Sequence, residues 1–338
     1  MDLKRVAIIG ADCISVSIAL GLKAQNDPPE IAGSDAELAT ANRARSMGGF
    51  DRVERKPGWA CQDADLVIVA EPLSSLPEIF AAIAPHLQPG CLVTDTAYLK
   101  APVMRWAEEL LPDDVFFVGG HPVPNPIMVG PDPLADVEAA SAELLREALY
   151  CFTPPIGTSG AVIGAFTGLA EMLEAQPFFI DVTEHDGLQA GVEGLPDLLA
   201  IALLRATVDT PGWQEMRKFA SHRFATATAA TSGAYERAIA VSLNREHILR
   251  RLNALLSELV HLRDLLTEDD PEALEEAFVE TAEGWARWVE EREQGLWIRE
   301  HTVSTNHIPS LGKRVTQMIL GERVSTRLKE RPDRPREE

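Results

Sequence analysis

KRVAIIGADCISVSIALGLK, residues 4–23, decides the fold. Val6, Ala7, Ile8 and Ile9 form a nearly continuous apolar run, the pattern of a parallel strand buried on both faces. Gly10 ends it, and from there Ile14, Ile18, Ala19 and Leu22 recur at helical spacing. A strand, a glycine turn and a helix in immediate succession aim the helix N-terminus at whatever sits above the turn. The first amides of a helix lack partners and its dipole is positive at that end, so the favoured occupant is an anion. Gly10 and the first helical residues, Cys13 and Ile14, are thus candidate cofactor-binding positions, with a dinucleotide as the natural ligand.

The glycine fingerprint of such a turn, G-x-G-x-x-G, reads Gly10-Ala11-Asp12-Cys13-Ile14-Ser15. Only the first glycine is present. Asp12 stands where the second would admit a pyrophosphate, and it adds a Cβ and a negative charge. At about 4 Å from a phosphate its charge would cost on the order of 1 to 4 kcal/mol between the bulk-water and near-surface limits. Ser15 replaces the glycine that allows close packing of helix on strand.

Composition narrows the partners. The chain has 338 residues, 46% hydrophobic and 25% charged, with a formal charge of −21. That describes a soluble globular protein large enough for two cores, and its charge repels nucleic acid and anionic membranes. Cys13, Cys61, Cys91 and Cys151 are widely spaced, without a C-x-x-C pair or metal spacing, and read as reduced core thiols of a cytoplasmic protein. No apolar run is expected to reach the length of a membrane span, and the first strand follows Met1 too closely for a signal peptide.

Strand and helix alternate onward from Lys23. Strands are predicted over 30–34, 65–70, 91–95, 116–118, 150–153 and 176–180, and helices over 36–47, 76–87, 98–111, 136–148 and 161–174. Such alternation specifies a Rossmann-like, doubly wound parallel sheet with helices on both faces. Beyond Asp181 only amphipathic stretches remain: 188–208, 213–230, 235–266 and 271–292. The expected organisation is a dinucleotide-binding domain over 1–182, an all-α substrate and dimerisation domain over 183–300, and an amphipathic segment with a disordered tail over 301–338. Within the 301–338 segment Lys313-Arg314, in its amphipathic part, is the basic cluster. The 236–266 stretch is read either as the central helix of an oligomer interface or as packing within one domain.

Ligands of open sheets bind beyond the carboxyl ends of the strands. Asp35 ends the second strand 20 residues after Ser15, where a carboxylate accepts from the ribose hydroxyls and selects NAD over NADP; equally, it can N-cap the following helix. Glu71 follows the strand 65–70. Tyr98 and Lys100 follow the strand 91–95, Lys100 read either as a positive charge at the site's mouth or as a solvated helical residue. His121, behind Gly119-Gly120, is either a general base or a turn histidine without a chemical role.

Together, ADLVIVAEPLSSLPEIFAAIAPHLQPGCLVTD (64–95), FVGGHP (117–122) and EHDGLQAGVEGLPDLLA (184–200) resemble the prephenate and arogenate dehydrogenase family of tyrosine biosynthesis, in order and separation, over roughly residues 6–292. The resemblance implies a Rossmann-like domain, a helical C-terminal domain and a homodimer formed through its helices. It also implies a nicotinamide cofactor that takes a hydride from the cyclohexadienol carbon of prephenate or arogenate. His121 would meet the ring hydroxyl, and decarboxylation would give an aromatic product.

Several positions depart from the family's pattern. Its D-x-G-S-x-K reads Asp95 to Lys100 with Tyr98 in the serine's place. Its S-H-L-P-H reads Glu193-Gly194-Leu195-Pro196-Asp197, without either histidine. Its G-F-R-D-x-T-R reads Arg223 to Ala229, so Ala229 replaces the arginine that binds the substrate carboxylate, with Arg223 or His222 as possible substitutes. Three functions are therefore set out. One is an NAD(P)-dependent prephenate or arogenate dehydrogenase, with NAD preferred over NADP, favoured by His121, Lys100 and Asp35. The second is a dimeric binding or regulatory protein without turnover, favoured by Asp12, Tyr98, Gly194 and Ala229. The third is a dehydrogenase of another small hydroxy acid.

Overall fold

Residues 4–23 form β1 (Arg5–Ile9) and α1 (Cys13–Lys23) in the computed structural model, which describes residues 3–124, 137–231, 233–268 and 270–294. There follow β2 (Glu30–Ser34), α2 (Leu38–Ser46), β3 (Arg52–Val53), α3 (Pro57–Ala60), β4 (Leu66–Val69) and α4 (Leu76–Ile83). Then come β5 (Leu92–Asp95), α5 (Ala101–Leu110) and β6 (Phe116–Phe117). All six strands are parallel, in the order β3-β2-β1-β4-β5-β6. The order reverses between β1 and β4, which puts a ligand crevice at the carboxyl ends of those two strands.

Alternation along the strands sorts the core. Val6, Ile8, Ile31, Leu66 and Ile68 face Val16, Ile18 and Leu22 of α1, while Ala7, Ile9, Val67, Val69 and Val93 face Phe80 of α4 and Val103 of α5. All are buried, and each of the larger side chains contributes about 1.5–3 kcal/mol by leaving water. The parallel Rossmann-like sheet expected from the sequence is thus present.

A second sheet was not expected. Gly119 to Pro122, read as a turn, lies in a strand, β7 (Gly119–Val123), antiparallel to β8 (Leu149–Thr153). After α6 (Gly160–Met172), β9 (Gln176–Phe179) pairs parallel with β8. Gly120 makes the step from one sheet to the other possible, since a Cβ there would lie 2.5 Å from the Asp95 carbonyl oxygen. The helix predicted over 136–148 is a short 3-10 turn, Val137–Ala139, followed by non-helical turns; Asp136 is outside the described residues. Its Ser141 amide donates to Ser17 Oγ of α1 at 3.0 Å, and Leu144 and Leu145 are buried, so tertiary contacts override the helical preference. β3 and α3 are too short to carry a period.

The remaining described elements are helical: α7 (Val182–Gln189), a π-turn (Ala190–Gly194), α8 (Leu195–Thr207), α9 (Trp213–Met216), α10 (His222–Thr228), α11 (Ala234–Leu243), α12 (Arg245–Thr267) and α13 (Pro271–Glu293). The long helix predicted over 235–266 breaks at Asn244, whose side-chain amide donates to the Asp186 carbonyl at 2.8 Å. Val182–Thr207 is a continuous helical run of 26 residues with a window of mean hydropathy 1.3, which corrects the expectation that no apolar run reaches membrane length. That run nonetheless carries buried His185, Asp186 and Asp197.

The chain divides into two compact units, Met1–Asn253 and Ala254–Glu338. Within the second, α13 is N-capped by Asp270, which accepts from the amides of Glu272 and Ala273. The 301–338 segment with Lys313-Arg314, and most of the Pro122–Pro133 loop, lie outside the described residues.

Candidate functional site

Two clusters of the first unit gather the residues singled out from the sequence. The first is the turn after β1. Gly10 has φ +96°, and a Cβ on it would stand 2.2 Å from the Ala70 carbonyl oxygen at the end of β4. Only glycine allows the two strand ends to approach so closely. Above the turn a cleft is lined by Ala11, Asp12, Asp35, Arg43, Glu71 and Glu138, among others. Asp35 does not N-cap α2, whose N-cap is Glu37; it accepts the Ala11 amide at 2.8 Å and the Glu37 amide at 2.7 Å, tying the turn to the end of β2. Burial, with Asp35 and Asp12 nearby, pushes the Glu71 carboxyl up to about 7. Cys13 is buried as the first residue of α1, and Ile14 follows it. Asp12 caps α1: its Oδ1 accepts the Ser15 amide at 2.7 Å, and Ser15 Oγ accepts the Asp12 amide at 3.0 Å.

The second cluster lies where β5 and β7 separate. His121 Nδ1 and His185 Nε2 are 3.0 Å apart, and His185 Nδ1 is 2.9 Å from Asp186 Oδ1. Asp186 also accepts the amides of Lys100 and Ala101, each at 2.8 Å, so it caps α5 from α7. That cap explains why α5 begins at Ala101 rather than at Tyr98. A carboxylate beside His185 requires Nδ1–H on that ring, so the Nε2 of a neutral His185 is an acceptor. His121 must then carry its proton on Nδ1, which leaves its Nε2 lone pair for a ligand. Burial, with His185 and Lys100 adjacent, holds the His121 imidazole well below the usual histidine range, so it stays neutral at pH 7 with its Nε2 lone pair available.

Lys100 is neither at a mouth nor solvated. It is fully buried, ion-paired with Asp95, and donates to the Gly120 carbonyl. Asp95 accepts in addition the amides of Gly120 and Ala97, each at 3.0 Å. Burial pushes the Asp95 carboxyl up and the Lys100 ammonium down, and each partner opposes the shift of the other. The pair therefore positions the backbone next to His121 instead of meeting a ligand.

Tyr98 is half-buried and lines a narrow cleft with Gln189, Glu193, Gly194, Asp197 and Asn244. Burial pushes its phenol up to about 12, so it is a neutral hydroxyl. Asp197 is ion-paired with Arg237. A Cβ at Gly194 would stand 2.1 Å from Ile248 Cδ1, so Ile248 fills the space that a histidine there would need. Ala229, His222 and Arg223 are exposed around α10, and none of them lines this cleft.

The fold agrees with what the chain is similar to. A prephenate dehydrogenase of Lactococcus lactis is 30% identical over 284 residues, 82% of this chain and 75% of the relative. The chain belongs to the prephenate dehydrogenase family. Residues 18–175 match the family's "Prephenate dehydrogenase, nucleotide-binding domain" and residues 181–280 its "Prephenate dehydrogenase, dimerization domain". The first match begins past the glycine turn. A second relative, prephenate dehydrogenase of Bacillus subtilis, is 26% identical over 95% of this chain and 86% of its own length. Among solved structures, prephenate dehydrogenase of A. aeolicus in complex with hydroxyphenyl propionate and NAD+ superposes with a TM-score of 0.74 at 21% identity, covering 85% of this chain and 99% of that one.

Sequence reasoning assigned no role to two residues of this family member, His185 and Asp186. Their signal was present in EHDG, which carried the resemblance, but spacing alone does not place them beside His121, 64 residues away in sequence.

Proposed function

We propose that the protein is an NAD-dependent dehydrogenase acting on a ring alcohol of the prephenate or arogenate type, as a homodimer. The observation that carries this reading is the Asp186–His185–His121 chain, which fixes a neutral histidine with one nitrogen left as an acceptor. Gly10, whose missing Cβ leaves a cradle at the crossing of two strand ends, and Asp35, a carboxylate at the end of β2, suit the adenosine half of NAD. A 2′-phosphate would meet the Asp35 charge, which supports NAD over NADP. When bound, the nicotinamide supplies the hydride acceptor.

The chain's own residues handle the proton. His121 Nε2 accepts the hydroxyl proton as the ring carbon is oxidised, and His121 Nδ1–H, held by His185, keeps the imidazole oriented. Asp186 lies behind His185 to balance positive charge arriving on the pair. Loss of the ring carboxylate as carbon dioxide then gives an aromatic product. Tyr98 contributes a neutral hydroxyl, and Lys100 acts on His121 only through the backbone.

Between the two family substrates the cleft beside Tyr98 favours the aminated one. It offers Glu193 where the family has a serine and the Arg237-paired Asp197 where it has a histidine, and such a surface suits an ammonium better than a keto acid. The test is NADH formation from arogenate and from prephenate by the purified protein, with His121→Asn as control. Turnover that His121→Asn abolishes supports the reading; no turnover of either at millimolar NAD+ overturns it.

A further inference from the structure

We propose that Asp12 is an internal competitor for the pyrophosphate of the cofactor: its carboxylate holds the α1 N-terminus that the phosphates would take, and so sets the affinity for the dinucleotide. This inference rests on the nucleotide site described above. In the turn, the Gly10 amide donates to the Ser34 carbonyl at 2.8 Å and the Ala11 amide to Asp35. The Asp12 amide donates to Ser15 Oγ, and the Ser15 amide donates to Asp12 Oδ1 at 2.7 Å. Ser15 Oγ then donates to the Gly10 carbonyl at 3.0 Å, which closes the ring of bonds. The Ile14 amide also faces the Asp12 carboxylate. Four of the turn's amide hydrogens are thus spent within the protein, and the anion seated on the helix end is the protein's own.

A dinucleotide can enter in one of two ways. Either its phosphates lie against Asp12 and bear the repulsion, or Asp12 swings away and α1 loses its cap. Asp12 is exposed at the mouth of the turn, so its side chain has room for the second route. Asp35 and Glu71 line the same cleft and add to the negative field, whereas Arg43 is the cation among the residues lining it. Both routes reduce affinity, and both disappear when residue 12 carries no charge and no side chain.

The experiment is calorimetric titration of the intact protein, Asp12→Gly and Asp12→Asn with NAD+ and, separately, with adenosine, which has the ribose but no phosphate. Asparagine caps a helix as well as aspartate does and carries no charge, so Asp12→Asn keeps the fold while removing the repulsion. Asp12→Gly is expected to bind NAD+ at least about tenfold more tightly than the unaltered protein, with Asp12→Asn between them and adenosine affinity equal in all three. If Asp12→Gly fails to fold, a gain in Asp12→Asn decides the matter alone. Equal NAD+ affinity in all forms overturns the proposal and leaves the dehydrogenase reading standing. A matching gain for adenosine overturns it too, because the effect would not come from the phosphates. No NAD+ binding by any form at millimolar concentration overturns both.

Discussion

His121 and His185 share one proton line: Nδ1 of the first is 3.0 Å from Nε2 of the second, and the rings meet edge to face at 81°. The contact joins β7 of the second sheet to α7 of the helical region. Because Asp186 orients His185 and also caps α5, the same carboxylate fixes the start of a helix and the tautomer of a ring two residues of contact away.

Replacing His185 by Phe removes the acceptor for His121 Nδ1–H without opening a large cavity. The expected result is a fall in kcat on the order of a hundredfold with a smaller change in KM. Nitrogen NMR of the His121 ring gives a readout that a merely structural role would not move, since Nδ1 and Nε2 should become a tautomeric mixture. Unchanged ring shifts with unchanged kcat would sink the positioning role.

The pH profile should carry the mark of a half-buried, desolvated imidazole. His121 is held low, so its neutral form persists through pH 7 and is lost only as pH falls through that depressed value. The acid limb of kcat/KM is expected below about 6.5, the ordinary histidine value. Linkage has the same sign: the unfolded chain binds the proton more readily, so His121 makes the protein less stable as pH drops below about 6.5. A midpoint at or above that value would contradict the assignment.

Lys100→Met should be costly. It strands the Asp95 carboxylate in a site where both side chains are fully buried, a loss of about 3–5 kcal/mol by comparison with other broken buried pairs. Asp95→Asn combined with Lys100→Met should cost less than the sum of the two single changes. Urea denaturation of the three variants measures this, and strict additivity would show that the pair is not coupled.

Affinity for NAD+ should weaken between pH 6 and pH 8. Glu71 titrates near 7 in a cleft that also holds Asp12, Asp35, Glu37, Arg43 and Glu138, so deprotonation adds negative charge where a dianionic pyrophosphate must sit. Glu71→Gln should flatten that slope. A slope that survives the substitution would assign the titration to another group.

The substrate cleft makes a comparable claim. Arogenate should exceed prephenate in kcat/KM by about tenfold or more, the effect of one added favourable charge contact. Asp197→Asn should narrow the difference while steady-state kinetics with both compounds are followed. Equal use of both by the unaltered protein would remove the acidic residues from the account of specificity.

The sheet was legible because its signal is local. Apolar runs such as 66–69 and 92–95, with helical spacing between them, fix strand, helix and parallel order with no knowledge of long-range contacts. The second sheet was not legible. Gly119-Gly120-His121-Pro122 has the composition of a turn, and it becomes a strand only because β8 offers an antiparallel partner and Gly120 can pass close to β5. For the same reason Lys100, which composition reads as solvated, is drawn beneath the strand ends by Asp95 and by the Asp186 cap.

By itself the sequence determined the doubly wound parallel sheet and the change to helices past Asp181, and it singled out His121, Asp35, Gly10 and Asp12 as candidate positions for the chemistry. Periodicity, glycine placement and charge are properties of neighbouring residues, so they survive in one dimension. Tertiary structure alone decided that Lys100 is a buried strut, that His185 and Asp186 stand behind His121, and that Asp12 turns back onto its own helix. Those are matters of distance between atoms far apart along the chain or of which way one rotamer points, and neither is written in spacing.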